Sequence, residues 1–183
     1  RVRGGAYMNC ICVVEKSSWR DESWSVRGDL AELQEDFAGW HADIEDLLAA
    51  VEPDSLFKWA LYDRAPLSLW GRGRVSLLGD AAHPALPFMA QGAAMAIEDA
   101  AVLGNVFSQH VGAGRIAPGL SAYEQLRRSR TASVQAQSRR NAWIYHASGL
   151  VAMGRNMLAP WLGQALMDKI YRYDALAVGK TRN

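Results

Sequence analysis

Cysteine and histidine are scarce in this sequence, which limits the metal and disulfide chemistry it can carry. The 183 residues include two cysteines, Cys10 and Cys12, and four scattered histidines. Two thiols are too few for a disulfide framework or a closed thiolate metal site. We therefore expect no metal site. A low cysteine content is also typical of the reducing conditions of the cytoplasm, where we expect the protein to reside.

A long apolar run and an excess of one charge are also missing. No stretch approaches the roughly 20 consecutive apolar residues that cross a bilayer, and the formal net charge is +1. Neither a membrane segment nor a nucleic-acid partner is therefore expected. Five arginines belong to one predicted helix, where we interpret them as a solvated face: Arg127, Arg128, Arg130, Arg139 and Arg140.

The glycine fingerprint of dinucleotide-binding folds is a further absence. G-x-G-x-x-G follows a strand and begins a helix that faces a pyrophosphate, and it occurs nowhere in the chain. The early glycines in GGAYMNC have another spacing and precede no predicted helix. The chain also opens on a predicted strand that has no earlier element to pair with. We therefore expect it to be the C-terminal part of a longer protein.

The pattern of apolar residues predicts early strands followed by mostly helix. Strands are predicted at residues 7–14 and 56–62, and residues 75–78 have the short apolar character of a strand covered on both faces. Asp29 is positioned to cap the first helix, and Pro160 separates the last two. Helices are predicted at residues 30–40, 43–51, 91–109, 120–147, 150–158 and 161–173.

One stretch, VSLLGDAAHPALPFMAQGAAMAIEDAA at residues 75–101, combines features that suit a ligand. Asp80 follows the predicted strand, where a carboxylate can accept hydrogen bonds from ligand hydroxyls. Gly92, Ala93 and Ala94 leave the first amides of the next helix unshielded, and the helix dipole favours negative charge there. A ligand with a polyhydroxyl part and an electron-rich heterocycle suits both halves. Alternatively, Asp80 only caps a turn and the small residues only allow tight packing.

The segment GDAAHPALPFMAQGAAMAIEDA resembles the second flavin-binding motif of the single-component aromatic-ring hydroxylases, the group typified by para-hydroxybenzoate hydroxylase. The flanking segments WALYDRAPLSLWGRGRVSLLGD, RGGAYMNCICVVE and SRRNAWIYHASG are similar to the salicylate hydroxylase and 3-hydroxybenzoate 6-hydroxylase branch. The resemblance covers nearly the whole chain. It implies an α/β fold, seen as the C-terminal part of a two-domain FAD- and NAD(P)-binding flavoprotein monooxygenase.

The resemblance also implies roles for individual residues. The motif residues Gly79 and Asp80 would bind FAD, with the Asp80 carboxylate on a ribityl or neighbouring hydroxyl. The amides of Gly92, Ala93 and Ala94 would face the isoalloxazine ring. The cofactor and the substrate would both lie close to Pro87, and Phe88 would lie close to the substrate.

Three further polar residues of the motif receive structural interpretations. His83 is expected to stabilise the turn rather than to transfer protons. Glu98 and Asp99 are expected to have capping or surface roles on the helix. No catalytic residue is assigned.

The resemblance implies a division of the chain into three segments. Residues 1–70 would complete the substrate-binding domain, residues 71–112 would form the FAD-binding segment, and residues 113–183 would form a C-terminal helical region. The whole protein would use NADH or NADPH, O2 and FAD to hydroxylate a small phenolic acid such as salicylate or 3-hydroxybenzoate. Its assembly as a homodimer stays open.

Two alternatives to this function remain. The chain could be a truncated, non-catalytic homologue that serves packing or subunit association, which the missing glycine fingerprint favours for this chain taken alone. It could also belong to a related flavoprotein with another oxidation, such as epoxidation or halogenation, which the flanking segments disfavour.

Overall fold

A computed structural model describes residues 3–16, 23–110 and 114–179. The chain forms two units, Arg1–Leu61 and Tyr62–Asn183. The predicted motif and the long helices that follow it belong to the second unit. The roles assigned to residues 1–70, 71–112 and 113–183 stay predictions.

The first unit contains two short helices, α1 (Leu30–Asp36) and α2 (Ala42–Ala49), which pack on each other. Asp29 caps α1 as predicted, because its carboxylate accepts a hydrogen bond from the Glu32 amide at 3.0 Å. His41 caps α2 in the same way through the Asp43 amide. A polar side chain before each helix satisfies an amide that the helix itself leaves unpaired.

The two strands predicted in the first unit, at residues 7–14 and 56–62, are reduced to isolated bridges, so both predictions were wrong in length. Residues 8–16 contain no regular secondary structure, and Tyr7 makes only an isolated bridge. At residues 56–62 the pairing is limited to a bridge between Arg27 and Phe57, flanked by the hydrogen bonds Gly28 N to Leu56 O and Lys58 N to Val26 O. A strand exists only where a neighbour supplies hydrogen bonds along its length, and composition cannot reveal that neighbour.

The second unit begins its regular structure with an antiparallel hairpin of β1 (Gly71–Arg72) and β2 (Val75–Ser76). The prediction of a strand at residues 75–78 covered on both faces was therefore wrong in length and in environment. Val75 is 70% exposed, and Leu78 is exposed as well. Only two residues pair, so the remaining apolar residues continue as a connection to the motif turn.

Three helices follow: α3 (Gly92–His110), α4 (Ile116–His146) and α5 (Gly149–Tyr171). The predictions for α3 and α4 are confirmed to within a few residues. The predicted break at Pro160 was wrong, because α5 runs through it without interruption. A proline costs a helix one hydrogen bond, but that cost can be outweighed by the rest of a long helix. No helix in the described part of the chain is both long and apolar enough to span a membrane.

The hydrophobic core of the second unit includes Ala82 at the end of the motif turn. Helix α3 packs along α4, and the buried cluster joins the turn, both helices and the residue before β1. Its buried members are Trp70, Ala82, Val102, Val106 and Tyr123. The motif turn is thus part of the hydrophobic core of the second unit.

Candidate functional site

The motif begins with a tight turn that only glycine suits. Residues Gly79–Ala81 form a single 3-10 turn after β2, and Gly79 has a φ of 57°. A side chain at this left-handed φ would be strained, and a Cβ on Gly79 would lie 3.4 Å from the Ala96 Cβ of α3. The positive φ, rather than a clash, therefore favours glycine here, since a Cβ would make only an ordinary contact with Ala96. Gly79 is buried, whereas Asp80, the next residue, is exposed.

Asp80 and the N-terminus of α3 lie together, as the sequence predicts. A Cβ on Gly92 would lie 4.0 Å from the Asp80 Oδ1 atom. The helix provides no carbonyl acceptors for the amides of Gly92, Ala93 and Ala94, since the Met95 amide makes the bond to Gln91 O, at 2.8 Å. A carboxylate that accepts hydrogen bonds and amides that donate them therefore face the same region.

Pro87 and Phe88 belong to a second 3-10 turn, Pro87–Met89, that leads into α3. Pro87 is exposed and Phe88 is half-buried. The Phe88 ring makes edge contacts with the rings of Tyr145 and His146 at the end of α4, at centroid distances of 6.0 and 5.7 Å. These contacts hold the aromatic ring of Phe88 at the rim of the motif.

Asp99 is the residue whose position differs most from the prediction. The capping or surface role expected for it was wrong, because its side chain is fully buried. Its carboxylate accepts hydrogen bonds from Gly79 N at 3.0 Å, His83 Nε2 at 2.6 Å and Arg127 Nε at 2.6 Å. The charge on Asp99 is thus compensated by α4 and by both ends of the motif turn.

The prediction of one solvated arginine face on α4 was also wrong in part. Arg127 is fully buried and binds Met95 O and Glu98 Oε2 as well as Asp99. Arg130 is largely buried, binds the Glu98 carboxylate and stacks over the ring of Tyr173 at 4.7 Å. Glu98 is therefore also an internal ion-pair partner rather than a surface residue. The positions of the arginines in the sequence do not show which of them faces an acidic residue on the neighbouring helix.

The pKa shifts of Asp99 and Arg127 agree with an ion pair in which both side chains are charged. Burial alone would raise the pKa of Asp99, but hydrogen bonds from His83, Arg127 and the Gly79 amide outweigh it and leave the pKa lowered. Burial would lower the pKa of Arg127, but hydrogen bonds to Asp99 and Glu98 leave it raised. Burial, and then the negative charge of Asp99, raises the pKa of the Tyr123 phenol.

His83 occupies the structural position that the sequence predicts. Its side chain is 1% exposed, its Nε2 atom bonds to Asp99, and its ring packs on Trp70 with centroids 5.1 Å apart. Its side chain is almost entirely buried and bound to Asp99, so its geometry supports a role in stabilising the turn.

A row of buried polar side chains on α4 binds the rest of the motif and was missed by sequence reasoning. Gln135 donates to Pro84 O at 2.8 Å, Ser138 donates to Leu86 O, and Asn141 donates to Phe88 O at 3.2 Å. The three donors are spaced three residues apart, which places them on one helix face. This three-residue spacing of polar side chains could have identified the row from the sequence, but a search for apolar periodicity does not detect it.

The fold and the site together define a protein of mixed helix and sheet in which a carboxylate and the amides of a helix N-terminus face one region. The FAD binding domain family matches residues 11–138. A relative, the 6-hydroxynicotinate 3-monooxygenase of Bordetella bronchiseptica, is 46% identical over 72% of this chain and 33% of its own length. The 3-hydroxybenzoate 6-hydroxylase of Klebsiella oxytoca is 38% identical over 93% of this chain and 41% of its own length.

Solved structures agree with these relatives. A salicylate hydroxylase in complex with its substrate has a TM-score of 0.74 and 31% identity, covering 93% of this chain and 43% of that one. Klebsiella pneumoniae HpxO complexed with FAD and uric acid has a TM-score of 0.67 and 33% identity, covering 77% of this chain and 36% of that one. The chain belongs to the FAD binding domain family, and the predicted fold class is confirmed. It spans less than half the length of these relatives.

Proposed function

We propose that this chain forms one wall of the FAD site, and part of the substrate domain, in a monooxygenase that consumes NADH or NADPH. The proposed reaction is hydroxylation of a small phenolic acid such as salicylate or 3-hydroxybenzoate, with O2 as co-substrate. The observation that carries the proposal is the approach of the Asp80 carboxylate to the bare N-terminus of α3. A homodimer and a cytoplasmic location are further parts of the proposal.

The residues present fit FAD. Asp80 is exposed and can accept hydrogen bonds from the ribityl chain, and the helix amides can donate to the electron-rich edge of the isoalloxazine ring. Gly92 has no side chain to stand between this carboxylate and the helix end. Reduced FAD supplies the oxygen-transfer chemistry, so the protein contributes binding, orientation and exclusion of water. In this proposal, the positive end of α3 stabilises negative charge on the reduced ring.

The substrate end of the site is proposed around the second 3-10 turn. Pro87 and Phe88 lie between the Asp80 turn and α3, and the ring of Phe88 is held by Tyr145 and His146. An aromatic side chain at this place offers a planar surface to a planar ring. Two of the relatives named above are a 6-hydroxynicotinate 3-monooxygenase and a 3-hydroxybenzoate 6-hydroxylase, which supports this substrate class.

The proposal is tested on the full-length gene product. Purified protein is titrated with FAD, and NADH and NADPH consumption is followed with salicylate, 3-hydroxybenzoate or 6-hydroxynicotinate present. Benzoate, which lacks the ring hydroxyl, is the matched control. We expect FAD binding, substrate-stimulated consumption of one nicotinamide cofactor, and a product carrying one added oxygen in mass spectrometry.

Two outcomes would count against the proposal. Protein that is folded but binds no FAD would favour the non-catalytic packing module. Protein that binds FAD but hydroxylates none of the phenolic acids would favour a related flavoprotein with another oxidation.

A further inference from the structure

We propose that Asp99 is a positioning residue for FAD, which holds Asp80 at a set distance from the N-terminus of α3. The inference rests on the proposed function and concerns a residue that does not itself face the cofactor. Asp99 is fully buried, and within the described residues its carboxylate accepts from Gly79, His83 and Arg127 rather than facing the proposed cofactor.

The first step of the argument is that Asp99 binds both ends of the motif turn. Its Oδ2 atom accepts from the Gly79 amide, which precedes Asp80, and from His83 Nε2, which follows it. The turn is also closed on itself, since the amides of Ala82 and His83 both donate to Gly79 O at 2.9 Å. Asp80 therefore lies on a short loop that is clamped on either side by one carboxylate.

The second step is that Asp99 and Gly92 belong to the same helix. They are separated by seven residues of α3, about two turns and 10.5 Å along the axis. The carboxylate that clamps the turn is therefore rigidly connected to the helix end that forms the other half of the proposed site. Through this connection Asp99 sets the separation between Asp80 and the amides of Gly92, Ala93 and Ala94.

The third step is that the clamp requires a carboxylate. Oδ2 receives two donors and Oδ1 receives the Arg127 guanidinium. An asparagine has one oxygen and one NH2 group, so it would place a donor against either the guanidinium or the turn. Arg127 orients Asp99 from α4, and that contact explains why an arginine is buried here.

Glu98 provides a matched control for Asp99. It is the adjacent acid on α3 and also binds Arg127, but its other ion-pair partner is Arg130. None of its contacts in the described part of the chain reaches residues 79–83. Loss of charge at Glu98 therefore perturbs the same ion cluster without releasing the turn.

The test compares FAD affinity in the full-length gene product carrying Asp99→Asn, Glu98→Gln or neither change. Apo-protein is titrated with FAD while the flavin absorbance spectrum and the melting temperature are recorded. We expect Asp99→Asn to weaken FAD binding about tenfold or more, as loss of an orienting outer contact does at other sites, and to alter the bound flavin spectrum. Glu98→Gln should lower the melting temperature yet keep FAD affinity within about threefold.

A double-mutant comparison makes the test specific to positioning. If Asp99 acts through Asp80, the two changes should not be independent. The double variant Asp80→Ala, Asp99→Asn should then bind FAD more tightly than expected from multiplying the two single-variant losses of affinity. Multiplicative effects of the two changes would overturn the inference. Equal FAD affinity in wild type and Asp99→Asn would overturn it as well.

His83→Phe decides the question if Asp99→Asn does not fold. Phenylalanine keeps a ring against Trp70 and loses the bond to Asp99, while His83 Nδ1 has no hydrogen-bond partner among the described residues. Weaker FAD binding by this variant supports the clamp, and unchanged binding refutes it. Wild-type protein that binds no FAD would instead refute the proposed function, and this inference with it.

Discussion

Asp80 is exposed although Gly79, directly before it, and Ala82, two residues after it, are buried, so the chain presents a single carboxylate on a packed turn. The Gly92 end of α3 lies beside this carboxylate and provides free amide donors. A charged side chain at such a place costs little, because it stays in water until a ligand binds. Its removal should therefore affect ligand binding more than folding.

Asp80→Ala removes a charge-assisted contact, typically worth about 1.5–3 kcal/mol, to a flavin hydroxyl. We expect FAD to bind about ten- to a hundredfold more weakly to the full-length protein. Asp80→Asn keeps one acceptor oxygen and should lose less. Titration of apo-protein with FAD, with melting curves beside it, separates the two roles. A lower melting temperature with unaltered FAD affinity would show that Asp80 is purely structural.

Glu32 is predicted to make folding of the first unit sensitive to acid. Hydrogen bonds from Lys16 and Lys58, both at 2.6 Å, lower its pKa from 4.5 to about 2. Because the folded-state pKa is the lower one, the stabilisation is complete above pH 4.5 and is lost as the pH falls towards 2. Glu32→Gln should thus reduce the change in the free energy of unfolding, measured in urea, between pH 4.5 and about 2. The reduction should be small because the ion pairs of Glu32 with Lys16 and Lys58 are partly exposed. Glu35→Gln, at an exposed position of the same helix, is the control and should leave the profile unchanged.

At the scale of elements, α4 is unusual because its buried face is largely polar. Its buried side chains include Arg127, Thr131, Gln135, Ser138 and Asn141. Each of the last three binds a carbonyl of the motif loops, and Arg127 binds both acids of α3. The helix therefore supplies side-chain donors to the carbonyls of Pro84, Leu86 and Phe88 in the motif loops.

Arg127→Leu should test the contribution of this buried ion cluster. Removing Arg127 leaves Asp99 buried without its arginine partner and leaves Glu98 paired with Arg130 alone. Breaking a buried ion pair in this way typically costs about 3–5 kcal/mol. Arg128→Leu is the matched control, since the Arg128 side chain is 46% exposed and its ion pair with Glu124 is long at 3.8 Å. That control should change the free energy of unfolding by less than about 0.5 kcal/mol. Equal stabilities of the two variants in urea unfolding would contradict the importance of the cluster.

At the scale of the whole molecule, the described chain exposes much apolar surface. In the first unit, Tyr7, Met8 and Ile11 are each more than half exposed. A run of exposed apolar residues without pairing partners promotes association with other chains. Residues 7–14, which the sequence predicts as a strand without an earlier element to pair with, thus contribute several of the exposed apolar side chains.

The 183-residue chain expressed alone should therefore self-associate. Met8→Lys together with Ile11→Lys should raise its monomer fraction in size-exclusion chromatography with light scattering, because the charges make the exposed segment soluble. Val75→Lys, at an equally exposed apolar position outside this segment, should change the monomer fraction much less. A monomeric wild-type chain with one cooperative melting transition would refute the prediction.

Local signals in the sequence were sufficient for several features of the fold and site. Asp29 followed by an apolar helical pattern was enough to identify the start of α1, and the long helical patterns located α3 and α4. The Gly-Asp motif pointed to the family and to the meeting of Asp80 with Gly92. Such features depend on residues close together in the chain, where capping, helix periodicity and turn chemistry act.

The tertiary structure alone decided which charges are internal and which strands form. Nothing local distinguishes Arg127 from Arg128, yet one lies against Asp99 across a helix interface and the other faces water. Residues 7–14 have the composition of a strand but no ladder of partners. Burial of a charge and pairing of a strand both require groups that are distant in sequence. The free energy of burying a charge or pairing a strand depends on whether those distant groups lie beside it in the fold. Local sequence therefore determines the motif and the helices, whereas tertiary packing determines the ion cluster.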